Sequence, residues 1–355
     1  MSDDLGEKLQ ALSCPVPVAD YPNVLLGHGG GGRLSQMLVE RMFAASFDNA
    51  ALSEMHDGAV LPVPAGRLAF STDSYVIRPY FFPGGDIGSL AVHGTVNDLA
   101  MCGAQPFALS SGLILEEGLP MEDLWRITRS MAAAARSAGV SIVTGDTKVV
   151  DRGKGDGIFV NVTGVGLVPE GIEISPRRAK PGDVILVSGA IAQHGIAIMA
   201  LREGLEFGTT VTTDSAPLHG MVATLLDALA GDVHVLRDPT RGGVASVLNE
   251  IAKAAGVGVS ISEAAIPVAE EVRGACEILG LDPLYVANEG KLLAFVARER
   301  ADEALSLLRA HRFGTQAAII GEVSGEHPGK VVLRSRVGGR RVVDLLTGDQ
   351  LPRIC

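Results

Sequence analysis

Met121-Glu-Asp-Leu-Trp-Arg-Ile-Thr-Arg-Ser-Met-Ala-Ala-Ala-Ala-Arg-Ser-Ala138, followed by Gly139 and Val140-Ser-Ile-Val-Thr144, decides the fold class. Leu124, Ile127, Met131, Ala134 and Ala138 recur at helical spacing and predict one apolar face. Glu122 and Asp123 stand in the first turn, where negative charge suits the helix dipole, and Gly139 supplies the stop. The short β-branched run that follows reads as a strand. Working outward, strands are expected at Ala69–Asp73, Leu109–Leu115 and Ile158–Val168, with a helix over Ile87–Met101 capped by Asp86. Pro169–Gly182, polar and punctuated by proline and glycine, reads as a boundary. A second unit follows: strands at Val184–Ser188, Val233–Leu236, Val257–Ile261 and Lys291–Val296, helices at Gly220–Ala230, Gly243–Ala255 and Ala301–Ala310, and a hairpin around Gly338-Gly339. This is an α/β (α+β) chain of two domains. A polar leader is expected to be mobile over 1–26, the domains to span 27–169 and 170–346, and a flexible tail to cover 347–355.

Composition narrows the function. At 47% hydrophobic residues the chain is not disordered, and 355 residues suit two cores better than one. Acids outnumber bases 41 to 30, and no basic block offers a phosphate-backbone surface, so nucleic acid is not an expected partner. No apolar run reaches the roughly 18 residues of a membrane span. Cys14, Cys102, Cys276 and Cys355 form no CxxC pair, and the N-terminal stretch carries no signal-peptide pattern. The expected compartment is the cytoplasm.

Asp residues recur at predicted strand ends: Asp73 after the Ala69 strand, Asp146 after the Val140 strand, Asp238 after the Val233 strand, with Asp98 in the Ile87 helix. Taken singly, each also reads as a cap or turn residue. Together they suggest carboxylates converging where α/β proteins collect ligands, with a divalent cation and phosphates between them. His28-Gly29-Gly30-Gly31-Gly32 offers backbone amides suited to phosphate, or a flexible linker, and no P-loop GK[ST] follows it. Arg241-Gly242-Gly243 leads into a helix, where free amides suit an anion. Lys148 is placed to neutralise phosphate or to handle a proton, or is a surface lysine. Glu289, between two apolar runs, is a candidate general base or a turn residue. The sequence closes on Leu351-Pro352-Arg353-Ile354-Cys355, a nucleophilic thiol on a stiffened arm, with chance or a buried anchor as alternatives.

Taken with Phe81-Phe-Pro-Gly-Gly-Asp-Ile-Gly88, Gly94-Thr-Val-Asn-Asp-Leu-Ala100, Gly145-Asp-Thr-Lys-Val-Val150, Ala287-Asn-Glu-Gly290 and Pro-Arg-Ile-Cys355, these motifs resemble the HypE family of carbamoyl dehydratases. The acidic motifs are shared with the wider aminoimidazole ribonucleotide synthetase-like superfamily. The resemblance implies N-terminal sheets paired across a homodimer, with ATP and Mg2+ in a cleft that involves the pairing. It implies that HypF loads a carbamoyl group on Cys355, that ATP drives its dehydration to a thiocyanate, and that the cyano group passes to iron on HypC–HypD for [NiFe]-hydrogenase. In that scheme Glu289 is the base, helped by Lys148. His28, Gly29, Gly30, Gly31, Gly32, Asn97, Thr147, Arg241, Gly242 and Gly243 surround ATP, and Asp73, Asp98, Asp146 and Asp238 hold the metal. The competing expectations are a carrier that only presents Cys355, and another ATP-dependent synthetase of the superfamily.

Overall fold

The computed structural model describes residues 21–30, 33–53, 59, 61–204 and 210–345. Its first half holds β1 (Arg67–Tyr75), α1 (Ile87–Met101), β2 (Gln105–Glu116), α2 (Met121–Ser137), β3 (Ser141–Val150) and β4 (Ile158–Val168). The sheet order is β1-β4-β2-β3. β2 and β3 are parallel, and the other pairings are antiparallel. A parallel pair needs a crossover, and α2 supplies it. β4 alternates strictly, with Ile158, Val160 and Val162 buried against the α1–α2 side. The opposite face is bare: Phe70 is 72% exposed, Leu68 56% and Ile114 44%.

The second half holds β5 (Val184–Val187), α3 (Gln193–Glu203), α4 (His219–Leu229), β6 (Val233–Arg237), α5 (Gly243–Ala255), β7 (Gly258–Ser262), α6 (Glu270–Leu279), β8 (Leu293–Val296), α7 (Ala301–Ala310), β9 (Ala318–Ser324), β10 (Val331–Arg334) and β11 (Arg340–Val343). Its seven strands run β11-β10-β7-β9-β5-β8-β6, with only β10–β7 parallel. One core packs α3, α5 and α6 on this sheet around Phe295, and another packs α4 and α7 on its reverse. The two halves share apolar contacts, since Ile198 and Ala287 join the first core.

Three expectations change. Pro22 and Val24, placed in the mobile leader, are docked: the Val24 N–H donates to Leu119 O at 2.8 Å, and the Met121 N–H donates to Pro22 O at 3.0 Å. Residues 1–20 and the expected tail, 347–355, lie outside the described residues. β3 does not end before Gly145 but runs on to Val150, so Asp146, Thr147 and Lys148 are strand residues. β1 likewise carries Asp73 in its interior. α3, α6 and β9 were unpredicted. α3 buries Ile196 through Ala200 consecutively, so no single face stands out, whereas α6 repeats Val272, Ala275 and Cys276 at legible spacing.

Candidate active site

Four segments bring acids together at the junction of the two halves. Asp73 projects from β1 on the helix-covered face. Asp98 sits near the end of α1, and its Oδ2 accepts the Ser71 hydroxyl at 2.7 Å. Asp238 follows β6, and Arg241, 73% exposed, reaches Asp73 Oδ1 at 3.8 Å. Glu289 stands in the loop before β8 and is 3% exposed. Loss of water, then the charge of Asp98, pushes Asp238 up to about 7. Burial, then Asp238, Asp214, Asp73 and Asp98, raises Glu289 well above the usual carboxyl range. Carboxyls that raise one another in this way form a site that accepts positive charge. Among the described residues, no three His, Cys, Asp or Glu converge closely enough to hold a metal by themselves.

The Glu289 loop is fixed by Asn288. Its Oδ1 accepts the Ala192 N–H at 2.7 Å, and its Nδ2 donates to Pro239 O at 2.8 Å and Val286 O at 3.1 Å. One buried amide thereby ties the loop to the turn that carries Asp238.

A second cluster lies at β3. His28, Gly29, Ser111, Asp146, Thr147 and Lys148 line a cavity of about 270 Å³ whose remaining wall is largely apolar. His28 Nδ1 accepts the Leu25 N–H at 3.0 Å. Its buried Nε2 and the Ser111 hydroxyl have no partner among the described residues. Asp73, Val162, Ser111 and Gly145 form one row across the sheet, so β3 stands three strands from β1, about 14 Å away. Alternation puts Asp146 and Lys148 on the bare face and Asp73 on the covered one. One chain alone does not unite Asp146 with the other acids, nor Lys148 with Glu289.

Other candidates are already occupied. Asn97 is 1% exposed; it donates to Ala216 O at 3.0 Å and to Glu289 O at 3.3 Å, and accepts the Leu218 N–H at 2.8 Å. It clamps the two halves and has no group free for a nucleotide. Gly243 is buried, its N–H donates to Thr240 O, and a Cβ there would strike the Leu284 and Val286 carbonyls. Gly242 caps α5 at φ 76°, which favours glycine. Gly29 packs against the Val149 backbone, where a Cβ would stand 2.5 Å from the amide nitrogen. Gly30 is exposed. Gly31, Gly32 and Cys355 lie outside the described residues.

Family models for AIR synthase related proteins match at residues 55–168 (N-terminal domain) and 180–334 (C-terminal domain). The chain is 56% identical over 331 residues to carbamoyl dehydratase HypE of Cupriavidus necator, covering 93% of this chain and 94% of that one. The chain belongs to the HypE family. Hydrogenase maturation protein HypE, solved in complex with ATP, superposes with a TM-score of 0.90 at 51% identity, over 93% of this chain and 99% of that one. HypE from a HypE–HypF complex does so with a TM-score of 0.77 at 48% identity, over 87% and 99%. Among the described residues, no helix is long and apolar enough to cross a membrane. Sequence reasoning missed Asp214 and Lys291, an ion pair at 3.2 Å beside Glu289. Lys291 lies two residues from Glu289 and could have been noticed, whereas no local pattern singles out Asp214.

Proposed function

We propose that this chain is an ATP-dependent carbamoyl dehydratase that converts a carbamoyl group on the Cys355 sulfur to a thiocyanate, in the cytoplasm, for [NiFe]-hydrogenase maturation. The supporting observation is the buried Glu289 amid Asp73, Asp98 and Asp238 in a chain of the HypE family. HypF delivers the carbamoyl group, and HypC–HypD receives the cyano group. The carbamoyl oxygen attacks the γ-phosphorus of ATP, and ADP leaves. The activated carbon–oxygen bond then breaks, so the oxygen departs in phosphate while nitrogen gives up two protons, leaving S–C≡N. Glu289, its basicity raised by burial, takes a proton from that nitrogen. Asp73, Asp98 and Asp238 present the hard oxygen donors that suit Mg2+, which usually takes one or two carboxylates with phosphate and water and would neutralise the triphosphate. The unpartnered His28 Nε2 and Ser111 hydroxyl, with Thr147, offer polar contacts to the nucleotide, and Arg241 offers its charge.

Lys148 and Asp146 enter through a homodimer. The bare sheet face with Phe70, and the positions of β1 and β3 as the two edge strands of the sheet, suit a second copy that brings β3 of one chain near β1 of the other. Intact mass after incubation with HypF, carbamoyl phosphate and ATP tests the reaction. The expected record is gain of one carbamoyl group, then loss of one water, on the peptide that carries Cys355. Cys355→Ala is expected to take up no carbamoyl group, and Glu289→Gln to stop before the water is lost. Full conversion by either variant removes that residue from the scheme.

A further inference from the structure

The peptide of Glu289 is gripped at both ends by side chains from distant segments. Its N–H donates to Asp214 Oδ1 at 3.1 Å, and its carbonyl accepts from Asn97 Nδ2 at 3.3 Å. Asp214 Oδ2 pairs with Lys291 Nζ at 3.2 Å, with side chains only 1% and 9% exposed. Lys291 Nζ also donates to Gly290 O at 3.2 Å. Gly290 presses so closely on the Asp214 carbonyl that any Cβ there would collide with it. The segment 213–218 is itself anchored on both halves. The Thr213 hydroxyl meets His194 Nδ1 on α3 at 2.7 Å, and the Ser215 hydroxyl meets His93 Nδ1 on α1 at 3.0 Å. α1 also carries Asp98.

A dry ion pair is a poor source of stability, because desolvation consumes most of the attraction. Apolar side chains of similar size would hold the fold as well, so stability alone does not explain this pair. Its bonds lead to the Glu289 peptide on one side and to both halves of the chain on the other.

We infer that Asp214 and Lys291 are positioning residues: the pair fixes the Glu289 peptide against segment 213–218, and so sets the direction from which its carboxyl meets the carbamoyl nitrogen relative to the acids on α1 and β1. This deepens the proposed function and rests on Glu289 as the base. Lys291 Nζ donates to Gly290 O and ion-pairs with Asp214, and Asp214 holds the N–H of the base's peptide.

The test uses full-length chain with HypF, carbamoyl phosphate and ATP, and reads the first-order rate of water loss from the carbamoylated chain, the ATP concentration that half-saturates it, and the unfolding midpoint. Lys291→Met leaves Asp214 buried without its cation and can lose stability for that reason alone. The decisive variant is therefore the double change Asp214→Leu with Lys291→Met, which strands no charge. Because the Glu289 N–H and Gly290 O lose their side-chain partners, it is expected to stay folded with a modestly lowered midpoint, to keep the half-saturating ATP concentration within about threefold, and to lose about 30-fold or more in the rate of water loss, as small misplacements of reacting groups do. Lys291→Arg is expected to recover most of the rate. A double variant that stays folded and loses water at the wild-type rate overturns the inference, as does a raised half-saturating ATP concentration with an unchanged rate. Wild type and Glu289→Gln run alongside. If wild type forms no thiocyanate, or Glu289→Gln forms it normally, the reading of Glu289 falls and the inference falls with it. If both behave as expected and the double variant reacts at the wild-type rate, the pair alone is refuted.

Discussion

His93 sits on α1 facing Ser215, and its imidazole is pushed down to about 4, first by removal from water and then by nearby His219. His219 and His311 are shifted in the same direction, chiefly by burial. A histidine whose folded value lies below its unfolded value near 6.5 must be protonated at a cost on acidification. Its contribution is therefore fully present above about pH 6.5 and is lost as pH falls from there through about 4, on the order of 3 kcal/mol. Urea midpoints measured from pH 7 to pH 4.5 should fall steeply for wild type and less so for His93→Gln, which can still bond Ser215. Identical slopes would acquit His93. At this scale the sequence was only partly legible. Glu289 stood out because a lone acid between two apolar runs is conspicuous. Asn97, expected beside the nucleotide, makes three bonds to segments about 120 and 190 residues away, and no local pattern reveals them.

Asp86 illustrates what an element's own residues determine. Its Oδ1 accepts the Gly88 N–H at 2.7 Å and the Ser89 N–H at 3.0 Å, while the Ser89 hydroxyl answers the Asp86 N–H at 3.1 Å. This reciprocal cap starts α1, the helix that carries Asp98 to the site. Asp86→Ala should lower stability by about 1 kcal/mol, with Asp86→Asn close to wild type, as read from urea unfolding. α1, α5, α7 and β4 were predicted with the bounds they adopt, because caps, glycine stops and periodicity agree there. β3 was cut short because Gly145-Asp146 carries a turn signature. The parallel partner β2 overrides it: Gly145 pairs with Ser111, and a Cβ at Gly145 would collide with the Ser111 carbonyl. There glycine serves strand packing, and that distinction lies in the neighbour.

For the whole molecule, the bare face of the first sheet and the distance between the two clusters are one problem. Phe70 at 72% exposure, with Leu68 beside it on β1, is apolar surface of a kind that soluble proteins usually cover, and Ile114 stands farther along the same face. Asp146 and Lys148 lie on that face, about 14 Å across the sheet from Asp73. The proposed homodimer would address both if the second copy covers Phe70 and also sets its β3 edge beside the β1 edge, where Asp73 stands. Phe70→Asp separates this arrangement from a monomeric enzyme. Phe70 already faces solvent within one chain, so the substitution should lower the unfolding free energy of the isolated chain by no more than about 1 kcal/mol, the span of strand propensity. In the pair it places a carboxylate in an apolar contact without a partner, which is expensive. Sedimentation should show two chains for wild type and one for the variant, and carbamoyl-dependent ATP hydrolysis should fall at least tenfold with the mass. A variant that sediments as one chain and keeps full turnover would mean that a single chain closes the distance by another route, and Lys148 would then have no part in the step assigned to it.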